Sequence, residues 1–534
     1  MSGTPWDGTG QVPPDGGHRE VIAGGAPAGG GYVPAPDGYA LGGQNLLPPP
    51  PRRRRGALVA GVVAGVVGVG AAGVVGLVAA NGLFGGGDQP EQHLPSTVVA
   101  MAKIDLDPSA GQKVDAIRFA RKFPQGKDLR EDGDPRQWLW QKLTEDVEGA
   151  PSWDRASAWV GDRAAVALMP DPSDPAAPKV VGVLAVSDDE QAVADMRSVR
   201  NAGVAAADGW LVVADSVTTA QAALQGAKSS PLAGSTAFAE DLDRLGEDGI
   251  AAAWYDGTGL SKMLSSLASS RDLAGVTGCA GAGQSSRFDR LSGHGAVALR
   301  FSGADLELFG TTVGITGSSV SGAGTGVEQL PAGTLGAVGF AGLGKAVGTQ
   351  WDAMLQQIGD ATCEDPQTLL APAEAAIGLS LPDDLVTLLG DRTAVAVGAP
   401  DALGLPSVGL KVASTGADLR GVLDKVRSTV DDAGLPVTIT PIDGGYVAGT
   451  SEDETAALQQ PGTLGASPAF GAAVPDAAKA AFVGYADVAG LVAAYGDTMP
   501  AGARQSFSAL TSLGISVVVT PDGTSTLRMK LTTR

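Results

Sequence analysis

Three histidines, two cysteines and a few closely spaced aspartates are the residues of this chain best suited to chemistry, and their placement decides what chemistry is open. His18 and His93 lie before the part with globular patterning, so a triad hydrolase or a His-ligated zinc site would rest on His294 alone. Gly293-His294-Gly295 at a strand start reads as a turn rather than as a general base. No His-Glu-x-x-His, Gly-x-Ser-x-Gly, Ser-x-x-Lys or Walker pattern occurs. The pairs Asp105/Asp107, Asp171/Asp174 and Asp383/Asp384 could offer oxygen ligands to Ca²⁺, but none has the density of a dedicated loop. Helix caps and turns account for them better. These residues therefore give no catalytic, cofactor-binding or metal site, and the expectation is a protein that is not an enzyme. Cys279 and Cys363 are an even pair, and if they lie in an oxidising compartment a disulfide between them is expected. On the chain-entropy account such a bridge contributes about 4–5 kcal/mol; two buried thiols are the alternative.

The elements that would position these residues occur twice. Leu94-Pro95 before Val98–Ile104 returns as Leu330-Pro331 before Leu335–Phe340. Gly161-Asp162-Arg163 returns as Gly390-Asp391-Arg392, Asp208-Gly209-Trp210 as Gly444-Gly445-Tyr446, and Ser235-Thr236-Ala237-Phe238 as Ser467-Pro468-Ala469-Phe470. Trp254-Tyr255-Asp256 is echoed by Tyr485-Ala486-Asp487, and each half closes on a hairpin pattern. Two homologous repeats, 95–325 and 326–534, follow. The two Gly-Asp-Arg segments read as a turn Asp beside a locally paired Arg, or as a ligand site shared by the repeats.

Within a repeat, the β-branched run Val180–Val186 precedes Ser187-Asp188-Asp189-Glu190, a capping box that predicts a helix over 191–200. Val408–Val412 followed by a helix over 419–430 repeats the arrangement. Asp208-Gly209 and Asp522-Gly523 predict tight hairpins; Ser235 and Ser467 read as N-caps. The expected fold class is α+β: two repeats with mostly antiparallel sheets and helices packed on one face.

Ahead of the repeats, residues 1–55 are rich in Gly and Pro and end in Arg52, Arg53, Arg54 and Arg55. Such a segment cannot bury enough apolar surface to offset its conformational entropy, so a disordered tail is expected. Gly56 to Gly87 has no charge, and the run Ala57–Ala80, as a helix, would extend about 36 Å, enough for a bilayer core. The arginines before it and Asp88 and Glu91 after it set the orientation by the positive-inside bias. The expectation is a single-pass plasma-membrane protein: cytoplasmic tail 1–55, spanning helix 56–84, linker 85–94, and the bulk of the chain extracellular. Ala64, Gly68, Ala72, Gly76 and Ala80 recur every fourth residue, a small-residue stripe through which two spans could form a homodimer. The chain carries a net charge of −21, and its excess negative charge lies beyond residue 55. That repels phosphate backbones and argues against nucleic acid.

The polybasic apolar run, Leu94-Pro95-Ser96-Thr97-Val98, Ile104-Asp105-Leu106-Asp107-Pro108 and the paired Gly-Asp-Arg strands together resemble the domain of unknown function 3352 family, membrane-anchored proteins of high-GC Gram-positive bacteria. The resemblance covers essentially all of the repeats. It implies a cell-envelope location and supplies no activity. The expected function is a non-enzymatic binding or scaffold module whose partners are the lipid bilayer and an envelope protein or polymer. A carrier or sensor of an apolar ligand, held between helices and sheet, is one alternative. An envelope hydrolase using a carboxylate pair is another.

Overall fold

A computed structural model describes residues 87–123, 134–145, 147–174, 177–247, 249–269, 292–314, 324–362, 365–400, 404–416 and 418–534. In chain order the first half holds β1 (Ala100–Asp105), α1 (Ala110–Ala120), α2 (Pro135–Thr144), α3 (Trp153–Ala156), β2 (Val160–Met169), β3 (Lys179–Val186), α4 (Asp189–Met196), β4 (Gly203–Ala207), β5 (Trp210–Ala214), α5 (Val217–Ser229), α6 (Thr236–Leu245), β6 (Ala251–Asp256), α7 (Gly257–Ser269), β7 (His294–Ser302) and β8 (Asp305–Val313). The second half holds β9 (Gly336–Ala341), α8 (Leu343–Thr362), α9 (Pro366–Ile377), α10 (Asp383–Leu389), β10 (Arg392–Pro400), β11 (Pro406–Ala413), α11 (Leu419–Asp432), β12 (Thr438–Ile442), β13 (Gly445–Gly449), α12 (Glu452–Gln459), α13 (Pro468–Ala473), β14 (Phe482–Ala486), α14 (Val488–Tyr495), α15 (Ala501–Phe507), β15 (Leu510–Val519) and β16 (Ser525–Thr533).

The sixteen strands among the described residues form one antiparallel sheet, ordered β12-β13-β11-β10-β9-β14-β15-β16-β8-β7-β6-β1-β2-β3-β5-β4. From β8 outward the order is 8-7-6-1-2-3-5-4, and from β16 outward the same order recurs with each number raised by eight. The halves meet where β8 pairs with β16, from Leu306↔Leu531 to Thr312↔Ser525. An antiparallel pair of like strands has a local two-fold axis normal to the sheet, so corresponding elements of both halves lie on the same face.

Local chemistry explains the hairpins. Between β4 and β5, Asp208 (φ 58°) and Gly209 (φ 81°) both take the left-handed conformation, the geometry of a two-residue turn matched to strand twist. Before α4 the cap is Asp188, which accepts from Gln191 N–H at 3.0 Å. Ser187, expected to cap, instead donates to Ala158 O at 3.3 Å, and the helix ends at Met196. Ser235 and Ser467 stand at N-cap positions without a side-chain cap bond.

Two expectations are corrected. The fold is not a pair of repeats with separate sheets and helices on one face. It is α+β with a single continuous sheet covered on both faces. Along β3, Val181 and Val183 enter a core with α5 and α6, whereas Leu184 and Val186 enter another with α4, Trp140 and Trp159. In the second half α12 and α13 cover the first of these faces and α11 the second. The single-pass membrane reading is also corrected: among the described residues no helix is long and apolar enough to cross a membrane. The longest, α8, has 20 residues and carries Lys345, Gln350, Asp352, Gln356 and Gln357. The tail 1–55 with its arginines, the run 56–84 with its small-residue stripe, Cys279 and Cys363 lie outside the described residues.

Candidate functional site

The densest polar cluster forms under α6. Phe238, Asp241 and Leu245 share the inner face of this helix, because spacings of three and four place side chains in one row. Asp241 is therefore carried into the core and is fully buried. Its Oδ2 accepts from Trp254 Nε1 at 2.9 Å and from His294 Nδ1 at 2.6 Å, and its Oδ1 accepts from Arg244 Nη1 at 2.9 Å. His294 opens β7 and is 28% exposed. This is a carboxylate-oriented imidazole, the arrangement that fixes a ring for proton transfer or ligation. Sequence patterning singled out His294 but missed Asp241. The available signal was its place on the same stripe as Phe238 and Leu245.

The Gly-Asp-Arg segments serve the backbone first. A Cβ on Gly161 would lie 2.8 Å from Ala185 O, and one on Gly390 2.4 Å from Ala413 O, so each glycine permits close approach of the neighbouring strand. Asp162 O accepts from Leu106 N–H (2.8 Å) and Asp391 O from Gly342 N–H (2.6 Å), which ties the first strand of each half to the second. The arginines then differ. Arg163 Nε donates to Asp105 Oδ2 at 3.0 Å and its Nη2 to Asp107 O at 3.3 Å. Lys113 also pairs with Asp107. Opposite Arg392 stands Ala341 instead of an aspartate. The Asp105/Asp107 pair thus neutralises cations between strand and helix; it does not form an open carboxylate pair. Burial pushes the Asp162 carboxyl up from its ordinary range, against the lowering influence of Arg136.

A second buried cluster lies at the start of the first half. Lys103 on β1 donates to Glu91 Oε1 at 2.8 Å, both side chains being under a tenth exposed. His93 stacks on Trp210 with ring centroids 4.6 Å apart. Desolvation lowers its pKa, only partly opposed by Asp88 and Asp208. Glu91 Oε2 and His93 Nε2 are buried without a hydrogen-bond partner among the described residues.

The remaining aspartates cap and staple. Asp171 accepts from Ser173 N–H (2.8 Å) and Oγ (2.6 Å), which with Lys179 holds its carboxyl down at about 2. Asp384 accepts from Lys425 Nζ (2.8 Å) and Ser380 N–H (2.8 Å), and is held low by both. Asp174 closes the same turn as Asp171 through its backbone, and Asp383 opens α10. Among the described residues no three His, Cys, Asp or Glu side chains gather as a metal site.

One face of the sheet carries an extended apolar surface. On the face covered by α4 and α11, a single register row runs Leu410–Val395–Val338–Gly484–Ile515–Met529–Leu308–Leu299 across eight strands. Beside it runs Phe340–Phe482–Val517–Leu527–Gly310–Val297, in which Phe340 and Phe482 have centroids 5.2 Å apart. Toward the sheet's ends α4 and α11 bury this face, and Phe119 of α1 packs with Leu299, Leu306 and Leu531. In the middle it is only partly covered: Val338 is 40% exposed, and Ile515, Val517, Leu527, Met529, Leu308 and Val297 are all partly accessible.

In comparisons with known proteins, no family model, no curated protein and no solved structure matches the chain.

Proposed function

We propose that this chain is a non-enzymatic binding module that receives an apolar partner on the central part of that sheet face. The observation that carries the reading is the apolar row through Val338, Ile515, Met529 and Leu308, which stays partly accessible. Scattered apolar residues are ordinary on protein surfaces, whereas contiguous ones mark sites of interaction. The polar clusters support the same reading, because their hydrogen-bonding groups hold strands to helices. Asp241 in particular has both oxygens committed to Trp254, His294 and Arg244.

The test is binding of a fluorescent apolar dye to the purified protein and to Val338→Lys. The lysine stands at an exposed strand position, so stability should change by less than about 0.5 kcal/mol. Dye binding should fall several-fold. Equal dye binding by both proteins, with the fold intact, would remove this face as the site. Organic extraction of the protein as purified defines the partner: recovery of a stoichiometric lipid-like molecule makes the module a carrier.

A further inference from the structure

The sheet has two ends, and the chain treats them differently. Just before β5, Gly209 O accepts from Val186 N–H of β3 at 2.8 Å. The N–H and C=O of one strand residue point to the same side and alternate along the chain. Trp210, Val212 and Ala214 therefore turn toward β4, where their register partners are Ala207, Ala205 and Gly203. Val204 and Ala206 are left with both backbone groups directed out of the sheet, and among the described residues no hydrogen bond reaches them.

The same reasoning at the other end gives another result. Gly444 O accepts from the N–H of Ser414, just after β11, at 3.0 Å, so Gly445, Val447 and Gly449 face β12, and Ile439 and Pro441 point outward. Pro441 has no N–H to offer. Ile439 O is taken by the guanidinium of Arg427 on α11, at 3.3 Å from Nε and 3.2 Å from Nη2. Counting back from each hairpin, Pro441 occupies the place of Ala206 and Ile439 that of Val204. Proline and a charged side chain are common means of closing an edge to further strands. Among the described residues, one edge is closed and its equivalent is open.

We propose that β4 is the edge through which two copies of this chain pair, antiparallel, about a two-fold axis at Ala205. That register sets Val204 opposite Ala206 of the second copy and Ala206 opposite its Val204, so each outward N–H and C=O on both strands finds a partner. It also joins like faces: Val204 and Ala206 both lie on the α4 side of the sheet. The charges at the strand ends are already paired within each copy, Arg200 with Glu148 at 2.8 Å and Asp208 with Lys228 at 3.1 Å, so neither end opposes the approach of a second strand. The small side chains of Gly203-Val204-Ala205-Ala206-Ala207 allow close approach. So short a strand buries less than a standard interface, which makes the pair a weak, concentration-dependent one. With a net charge of −21 per copy, association should strengthen as salt screens the repulsion.

The experiment is sedimentation velocity of the full chain over a concentration series, together with Ala206→Pro. This substitution copies the residue that the second half carries at the equivalent edge, and it removes an N–H that points away from the sheet. The expected result is a monomer–dimer equilibrium weakened at least tenfold by Ala206→Pro with circular dichroism unchanged. A separate variant, Ala205→Cys, places two sulfurs across the axis and should give an intermolecular disulfide on mild oxidation that Ala206→Pro abolishes. Pro441→Ala with Arg427→Ala should open the other edge and extend dimers into longer assemblies. A monomer throughout the series, or a dimer that Ala206→Pro leaves untouched while the fold is kept, overturns the proposal.

Discussion

The two halves share a strand order but fill equivalent core positions with opposite chemistry. In the first half, Lys103 and Glu91 form a buried ion pair. Register places Gly339 where Lys103 stands, since each pairs with the same alanine of the next strand, Ala394 and Ala165. Val327, three residues before Leu330, stands where Glu91 precedes Leu94, and it is fully buried. A Cβ on Gly339 would lie 2.3 Å from Val327 Cγ2, so the valine fills the volume that the ion pair takes up. Likewise Trp254, Asp241 and His294 correspond to Tyr485, Ala473 and Ser512. Phe238 meets Trp254 edge-on at 5.5 Å and Phe470 meets Tyr485 at 5.0 Å, so the aromatic contact is common while the carboxylate and imidazole belong to one half only. The backbone plan thus tolerates either an ionic or an apolar solution. What the ionic version adds is a pair of titratable clusters in the first half alone.

The largest effect that could break this comparison comes from Asp241→Ala. It strands the Trp254 N–H and takes the buried carboxylate away from His294 and from Arg244, which keeps Glu240, and breaking a buried charge cluster typically costs about 3–5 kcal/mol. Urea denaturation measures it. The triple change Asp241→Ala, Trp254→Tyr, His294→Ser copies the second half and should recover part of the loss; no recovery would mean the halves are not interchangeable at this position. Lys103→Met should cost about 3 kcal/mol or more by leaving Glu91 charged and buried, and adding Glu91→Leu should restore most of it. Gly339→Ala should destabilise by about 1–3 kcal/mol through overpacking against Val327 and Thr325.

The smallest effect is one of pH. His93 is held below the ordinary imidazole value of about 6.5 by burial, so the unfolded chain binds the proton more readily. Stability contributed by neutral His93 is present above that value and is lost as pH falls through the folded one. Denaturation midpoints at pH 7.5 and below 6 should differ less in His93→Phe than in the parent; an identical acid dependence would show that His93 contributes nothing to it.

Local signals in the sequence were legible where local physics decides. Asp208-Gly209 specifies its turn through backbone conformation, and Gly161 and Gly390 mark where strands must come close. Side-chain roles were harder to read. The run Lys179-Val180-Val181-Gly182-Val183-Leu184-Ala185-Val186 is apolar at both parities, the pattern of a strand buried on two faces, yet alternation alone suggests one covered face. Asp241 sits in a charged-looking stretch beside Glu240, Asp243 and Arg244, and only its spacing from Phe238 and Leu245 hints at burial. The junction of β8 with β16 has no local signature. It pairs residues some two hundred positions apart, and nothing in either strand distinguishes that partner from another edge.

That junction also sets an order of events during synthesis. Ribosomes add roughly 5–20 residues per second, so β8 is complete well before β16 exists. Through that interval the nascent first half carries an uncapped strand with Leu306, Leu308 and Phe309 along it, and anything that shields it from other nascent chains would act there. Truncation after Thr325 should give a product that aggregates more readily than the whole protein, and a strand-like peptide spanning 525–533, supplied in trans, should suppress that aggregation.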